Sequence, residues 1–168
     1  VDGPDEALPP DAEGLIAVHR TDPGLMLGYW NRPAEQAEVT RGDWFVGGDL
    51  GTMDADGYIT HTGRNNEVMK ALGYRVSPLE VEAVLAAHPD IAEVACAELA
   101  VRADVHIVGA FVVLKESAAR DADAILAFAA ERLAAYKCPR EIRFVDALPR
   151  TANGKVKRAA LATLAPSA

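Results

Sequence analysis

Cysteine, histidine and aromatic side chains are scarce in this 168-residue chain, and each scarcity removes a class of explanation. Two cysteines, Cys96 and Cys138, make neither a disulfide framework nor a structural metal site, so a reducing compartment, the cytoplasm, is expected. The four histidines, His19, His61, His88 and His106, have neither metal-ligand nor triad spacing, and no metal ligand is expected here. No run approaches the ~18 consecutive apolar residues of a spanning helix, so no membrane span is expected. Basic residues are the minority. Against 25 Asp and Glu there are 17 Lys and Arg, a net charge of −8 that argues against nucleic acid as a general partner. The opening Val-Asp-Gly-Pro-Asp-Glu has no initiator Met and no basic leader region, and reads as the middle of a longer polypeptide.

What is present is an ordinary globular composition, half apolar and a quarter charged. The positive charge is gathered at one end. Arg132, Lys137, Arg140, Arg143, Arg150, Lys155, Lys157 and Arg158 stand against only Glu141 and Asp146, eight minus two, or a local +6. That concentration fits an anionic small-molecule partner, and equally a solvated basic face.

The pattern divides in two. Residues 1–65 hold short β-segments: Gly14 to Arg20, Trp44 to Leu50, and Tyr58 to Thr62 returning after the turn Asp54-Ala55-Asp56-Gly57, with a short helix from Pro33 to Glu38. Trp30, Trp44 and Phe45 have too few apolar neighbours there for an independent core, so this part is expected to be the β-rich end of a larger domain and to self-associate when exposed. Residues 66–168 read differently. Val68–Leu72 and Tyr74–Val76 flank Gly73, and Ser77-Pro78-Leu79-Glu80 has the form of a capping box. Val81, Val84, Leu85 and His88 then follow helical spacing until Pro89, where His88 suits a helix end. Strands at about 91–101 and 107–114, a helix over 121–135, a strand from Glu141 to Val145 and a helix from Val156 to Leu164 complete an α+β domain whose three-stranded sheet is packed by helices.

The chemistry concentrates in Leu148-Pro149-Arg150-Thr151-Ala152-Asn153-Gly154-Lys155-Val156-Lys157-Arg158. Asn153-Gly154 favours positive φ, which sets Lys155 at the tip of a tight turn. An ammonium on a flexible stem suits a developing phosphate or carboxylate charge. Taken alone, the segment is equally a basic hairpin ahead of a surface helix. Upstream lie Gly48-Asp49-Leu50-Gly51, Gly63-Arg64-Asn65-Asn66-Glu67 and Gly73-Tyr74-Arg75-Val76-Ser77-Pro78. Asp49 could accept bonds from a vicinal diol, or be a plain turn aspartate.

In this order the motifs resemble the C-terminal portion of the AMP-forming acyl-CoA synthetases, members of the adenylate-forming enzymes. The resemblance runs from Gly14 through Met26-Leu27-Gly28-Tyr29-Trp30-Asn31-Arg32-Pro33 to Tyr136-Lys137-Cys138-Pro139-Arg140 and Arg158. It implies that residues 66–168 are a mobile C-terminal lid domain and that residues 1–65 end a large AMP-binding N-terminal domain. It implies ATP and coenzyme A, with Mg²⁺ accompanying the ATP, and a carboxylic acid that is adenylated with release of pyrophosphate and then passed to coenzyme A with release of AMP. By matching position, Lys155 is the catalytic lysine of adenylation, and Asp49 and Arg64 contact the nucleotide. Asn66 is the hinge, where the family more often has Asp, so a charge-based role there is doubtful. Gly73 borders the pantetheine path, and Lys70 and Arg75 are candidates near the coenzyme A phosphates.

The family's Gly-rich phosphate loop and acyl pocket are not in this sequence. The chain alone is therefore expected to be inactive, and the acid cannot be read from it. Two rivals stay open: an adenylation domain that loads a carrier protein, and a non-catalytic binding or regulatory module.

Overall fold

The computed structural model describes residues 7–164. The chain divides between Asn66 and Glu67 into two compact units.

The first unit is built from short elements joined by tight turns. In chain order they are β1 (Gly14–Leu15), β2 (Val18–His19), α1 (Pro33–Glu38), β3 (Thr40–Arg41), β4 (Trp44–Phe45), β5 (Asp49–Met53) and β6 (Ile59–Arg64). The strands make two antiparallel sheets, ordered β1-β5-β6 and β2-β4-β3. Two expectations change here. The single strand expected over Gly14 to Arg20 is two strands in different sheets, and Trp44 to Leu50 is interrupted at Gly47-Gly48, where Gly48 takes φ of 86°. An L side chain rarely holds that backbone, so the glycine is where the chain can leave one sheet and enter the other. The β5–β6 turn is as expected. The Asp54 carboxylate accepts from the backbone N–H of Asp56 and of Tyr58, and Gly57 supplies φ of 87°.

Among the described apolar side chains of this unit only Val46 and Leu50 are buried, while Trp30 is 91% exposed.

The second unit has a substantial core. Its elements are β7 (Met69–Ala71), β8 (Tyr74–Val76), α2 (Pro78–Leu85), β9 (Ile91–Arg102), β10 (Val105–Leu114), α3 (Ala122–Ala130), β11 (Glu141–Phe144) and α4 (Arg158–Leu161). Strands β9 and β10 pair antiparallel, and β11 joins β10 in parallel, giving the order β11-β10-β9. Alternation along β9 and β10 sends side chains to both faces, and both are covered. Cys96, Val108, Ala110 and Val112 meet Val81, Leu85, Ile125 and Ala129 of α2 and α3 on one face. Ala95, Ala97, Leu99 and Phe111 meet Leu148 and Leu161 on the other. This is a three-stranded sheet with helices on both sides, the α+β arrangement the sequence led one to expect, and it explains why these two strands are apolar at almost every position.

Local chemistry departs from the sequence reading at three places. Ser77 makes no capping hydrogen bond, and Glu80 instead pairs with Lys137 at 2.5 Å. The capping residue of α3 is Asp121, whose carboxylate accepts from the Ala124 N–H at 2.9 Å. The last helix begins only at Arg158, because Val156 is held in an antiparallel bridge with Arg150.

Candidate functional site

In the first unit, strand pairing brings two of the expected residues together. Asp49 opens β5 directly opposite Arg64 at the end of β6. Arg64 Nε lies 2.9 Å from Asp49 Oδ1, and the same guanidinium donates through Nη1 to the Gly47 carbonyl at 3.4 Å. His61 joins them, with Nε2 3.4 Å from Asp49 Oδ1. Sequence reading missed this histidine for a definable reason. His61 and Arg64 are three apart, which in a regular strand points them to opposite faces. The β5–β6 register slips between Leu50 and Gly51, leaving Thr62 as the extra residue of a bulge, and the faces realign. A carboxylate has about four lone-pair sites. After these contacts Asp49, only partly buried, retains capacity to accept from a hydroxyl pair.

In the second unit, Lys155 is on the hairpin that covers the β9–β10 sheet. The Gly154 N–H donates to the Thr151 carbonyl at 2.9 Å, closing a turn over Ala152-Asn153, and Gly154 takes φ of 81°. Only the glycine of the Asn153-Gly154 pair is left-handed. Lys155 is therefore the first residue of the returning arm, just past the tip, with its carbonyl accepting from the Thr151 N–H at 2.8 Å. Its side chain is exposed and makes no ion pair or hydrogen bond with the described residues.

The other cations of the basic segment are mostly engaged. Carboxylates hold Arg132, Lys137, Arg143, Arg150 and Arg158. Glu80 beside Lys137 pushes its ammonium above the usual lysine range, by hydrogen bond first and by charge second. Among the described residues Arg140, Lys155 and Lys157 have no carboxylate within reach, so the local +6 of the sequence resolves into three available cations.

Beneath the hairpin, Arg158 is enclosed. Its Nε pairs with Glu67 Oε2 at 2.8 Å, its Nη2 with Glu82 Oε2 at 2.9 Å, and its Nη1 donates to the Cys96 carbonyl at 3.0 Å and to Glu82 Oε1. Glu82 Oε1 also accepts from the Cys96 N–H at 2.6 Å. Burial acts against the guanidinium's charge, but the hydrogen bonds and charges of Glu82 and Glu67 outweigh it, so Arg158 is held above even the usual arginine range. Cys96 is fully buried, and burial, with the Glu82 charge second, raises its thiol well above the ordinary range. That makes it an inert core residue.

Strands β7 and β8 form a hairpin whose two turn residues, Leu72 and Gly73, both have positive φ, 50° and 86°. This is the mirror-image turn that suits strand twist. A Cβ on Gly73 would meet nothing within 4 Å, so within this unit backbone conformation, and not crowding, calls for glycine. Lys70 and Arg75 face each other across the hairpin in register, and the Lys70 N–H donates to Glu98 Oε2 at 2.6 Å. Tyr74 stacks on Tyr136 with ring centroids 4.6 Å apart. Asn66 is exposed at the division between the units. His88 lies just past the end of α2, as expected, and there it is buried edge-on to Phe128 and accepts from the Asp90 N–H through Nδ1, so it also packs the core. Among the described residues no group of three or more His, Cys, Asp or Glu could hold a metal ion, and no helix is long and apolar enough to cross a membrane.

Residues 80–155 match the model of the AMP-binding enzyme C-terminal domain. The chain is 42% identical over 157 residues to the 2-succinylbenzoate–CoA ligase of Geobacillus kaustophilus, covering 94% of this chain and 32% of that protein. It is 42% identical over 153 residues to the long-chain-fatty-acid–CoA ligase of Bacillus subtilis, covering 91% and 27%. The o-succinylbenzoate CoA synthetase of Bacillus subtilis, solved with its acyl-adenylate intermediate, superposes with a TM-score of 0.86 at 29% identity, over 96% of this chain and 32% of that one. The chain thus spans about a third of the length of the relatives it matches. On this match the chain belongs to the adenylate-forming enzymes, the family of the AMP-forming acyl-CoA synthetases, and carries their C-terminal domain.

Proposed function

We propose that this chain works as the C-terminal part of an ATP-dependent acid–thiol ligase. That enzyme would join a carboxylic acid to ATP as an acyl-adenylate, release pyrophosphate, and transfer the acyl group to coenzyme A with release of AMP. The observation that carries this is Lys155: an exposed ammonium on a backbone-bonded hairpin, with no carboxylate to neutralise it, in a segment whose other cations are largely paired. A charge left available and held in place stabilises a developing anion without reorganisation. Residues 1–65 would end the nucleotide-binding domain and residues 66–168 would be the lid that turns about Asn66.

Asp49, fixed by Arg64, is suited to accept from the ribose hydroxyls of ATP. The partly exposed hairpin bearing Lys70, Gly73 and Arg75 is suited to border coenzyme A and its phosphates. A Bacillus subtilis relative is solved with ATP and magnesium. Mg²⁺ would accompany the ATP. The reaction belongs in the cytoplasm, where the two free cysteines stay reduced.

The test separates the two half-reactions in the full-length enzyme. Lys155→Ala should slow adenylate formation by on the order of 10²-fold, the cost of a lost charge clamp. Given pre-made acyl-adenylate and coenzyme A, it should keep most of its thioester-forming rate. Gly73→Leu should do the reverse. Equal loss of both half-reactions in Lys155→Ala would refute the assignment.

A further inference from the structure

Lys155 has to be held without being neutralised, and its neighbours on the hairpin do this. Arg150 lies on the outgoing arm of the hairpin, bridged to Val156 on the return. Its Nη1 donates to the Gly154 carbonyl at 2.6 Å, and its Nη2 pairs with Glu93 Oε2 of β9 at 2.5 Å. The Gly154 carbonyl belongs to the same peptide plane as the Lys155 N–H, and that N–H donates to Thr151 Oγ1 at 3.1 Å. The plane that launches the Lys155 side chain is therefore pinned on both edges, on one edge by a side chain that is itself tied to the sheet.

Energetics show what this bridge is for. Arg150 and Glu93 are 44% and 47% exposed, and exposed pairs of this kind contribute little to stability. Folding does not depend on such a pair. Resting on the reading of Lys155 above, we propose that Arg150 is a positioning residue for adenylation: it clamps the 154–155 peptide to β9 through Glu93 and so fixes the direction of the Lys155 ammonium. The fork geometry matters more than the charge. A guanidinium reaches a carbonyl and a carboxylate at once through separate nitrogens, whereas a lysine ammonium is a compact point charge.

The test uses the full-length enzyme and measures both half-reactions with Lys155→Ala alongside. Arg150→Met should lower kcat of adenylation roughly tenfold, as expected of a reacting group displaced by a fraction of an ångström, with KM for ATP nearly unchanged. Thioester formation from pre-made adenylate should stay at the wild-type rate, and the melting temperature should barely move. Arg150→Lys should be as slow as Arg150→Met, and Glu93→Gln should show a smaller loss of the same kind. Full adenylation activity in Arg150→Lys would overturn the proposal. So would a loss confined to KM for ATP, or equal loss in both half-reactions. If Lys155→Ala leaves adenylation intact, the functional reading of Lys155 itself fails. If Lys155→Ala is crippled while the Arg150 variants are not, only the positioning role fails.

Discussion

Replacing Arg158 by methionine removes the one cation from an enclosed cluster while roughly keeping its volume. The guanidinium side chain is 16% exposed and that of Glu82 is 14%, so neither carboxylate nor cation can be rescued fully by water. Without Arg158, Glu82 keeps its bond from the Cys96 N–H but loses its counter-charge, and the Cys96 carbonyl loses a donor. Breaking a buried pair by deleting one partner costs about 3–5 kcal/mol, because the remaining charge is stranded. Glu67 is 37% exposed and can recover water, which places the cost near the lower figure, about 3 kcal/mol. For a unit of this size that is a large share of the roughly 5–15 kcal/mol available, and a melting shift on the order of 10–20 °C. The assay has to report on the right unit. Trp30 and Trp44 both lie in the first unit, so their fluorescence is blind to this loss; far-UV circular dichroism in urea, or amide exchange of β9 and β10, is the measurement. Glu67→Gln, at the exposed end of the cluster, should cost about 1 kcal/mol or less. An Arg158→Met variant within 1 kcal/mol of wild type would show that the network is dispensable and refute the reasoning.

Two further outcomes are expected. Gly109→Ala places a Cβ 2.3 Å from Leu99 Cδ1 and should destabilise the second unit by about 1–3 kcal/mol, and the double variant with Leu99→Ala should lose less than the sum of the two single losses, as urea titration of all three variants would show. The 168-residue chain should self-associate at high concentration, because Trp30 and Leu27 are exposed and Leu15, Ile16, Trp44, Met53 and Ile59 line an apolar groove of about 370 Å³; a strictly monomeric light-scattering profile would count against this.

The second unit was largely legible in the sequence. Val81 and Leu85 repeat at helical spacing after Pro78, and the apolar runs around Cys96 and Phe111 read as strands, whose coverage on both faces only the structure shows. The first unit was less legible, because its strands are two to six residues long and change sheets at positions such as Gly48 that carry no periodic signal. The hairpin lysine and Asp49 could be located only through the order of several motifs, since each short motif is commonplace alone. His61 was hidden by a bulge. In sequence Arg158 is one of eight cations gathered at one end, and nothing local shows that it pairs with Glu82, 76 residues earlier. Contacts of that separation are set by packing, which composition does not encode.

The mixed sheet also implies an order of assembly. Strands β9 and β10 are neighbours in sequence, turn tightly at Asp104 with φ of 61°, and can zip together from that turn. Strand β11 cannot. It pairs in parallel with β10 through only Glu141 to Phe144, and the chain must first travel through α3 to reach it. Closing that longer loop costs entropy before any ladder bond returns it. The β9–β10 hairpin should therefore carry the slowest-exchanging amides of the unit and form early. The β11 edge should dock late and open first, making the stretch from α3 onward the natural entry point for a protease.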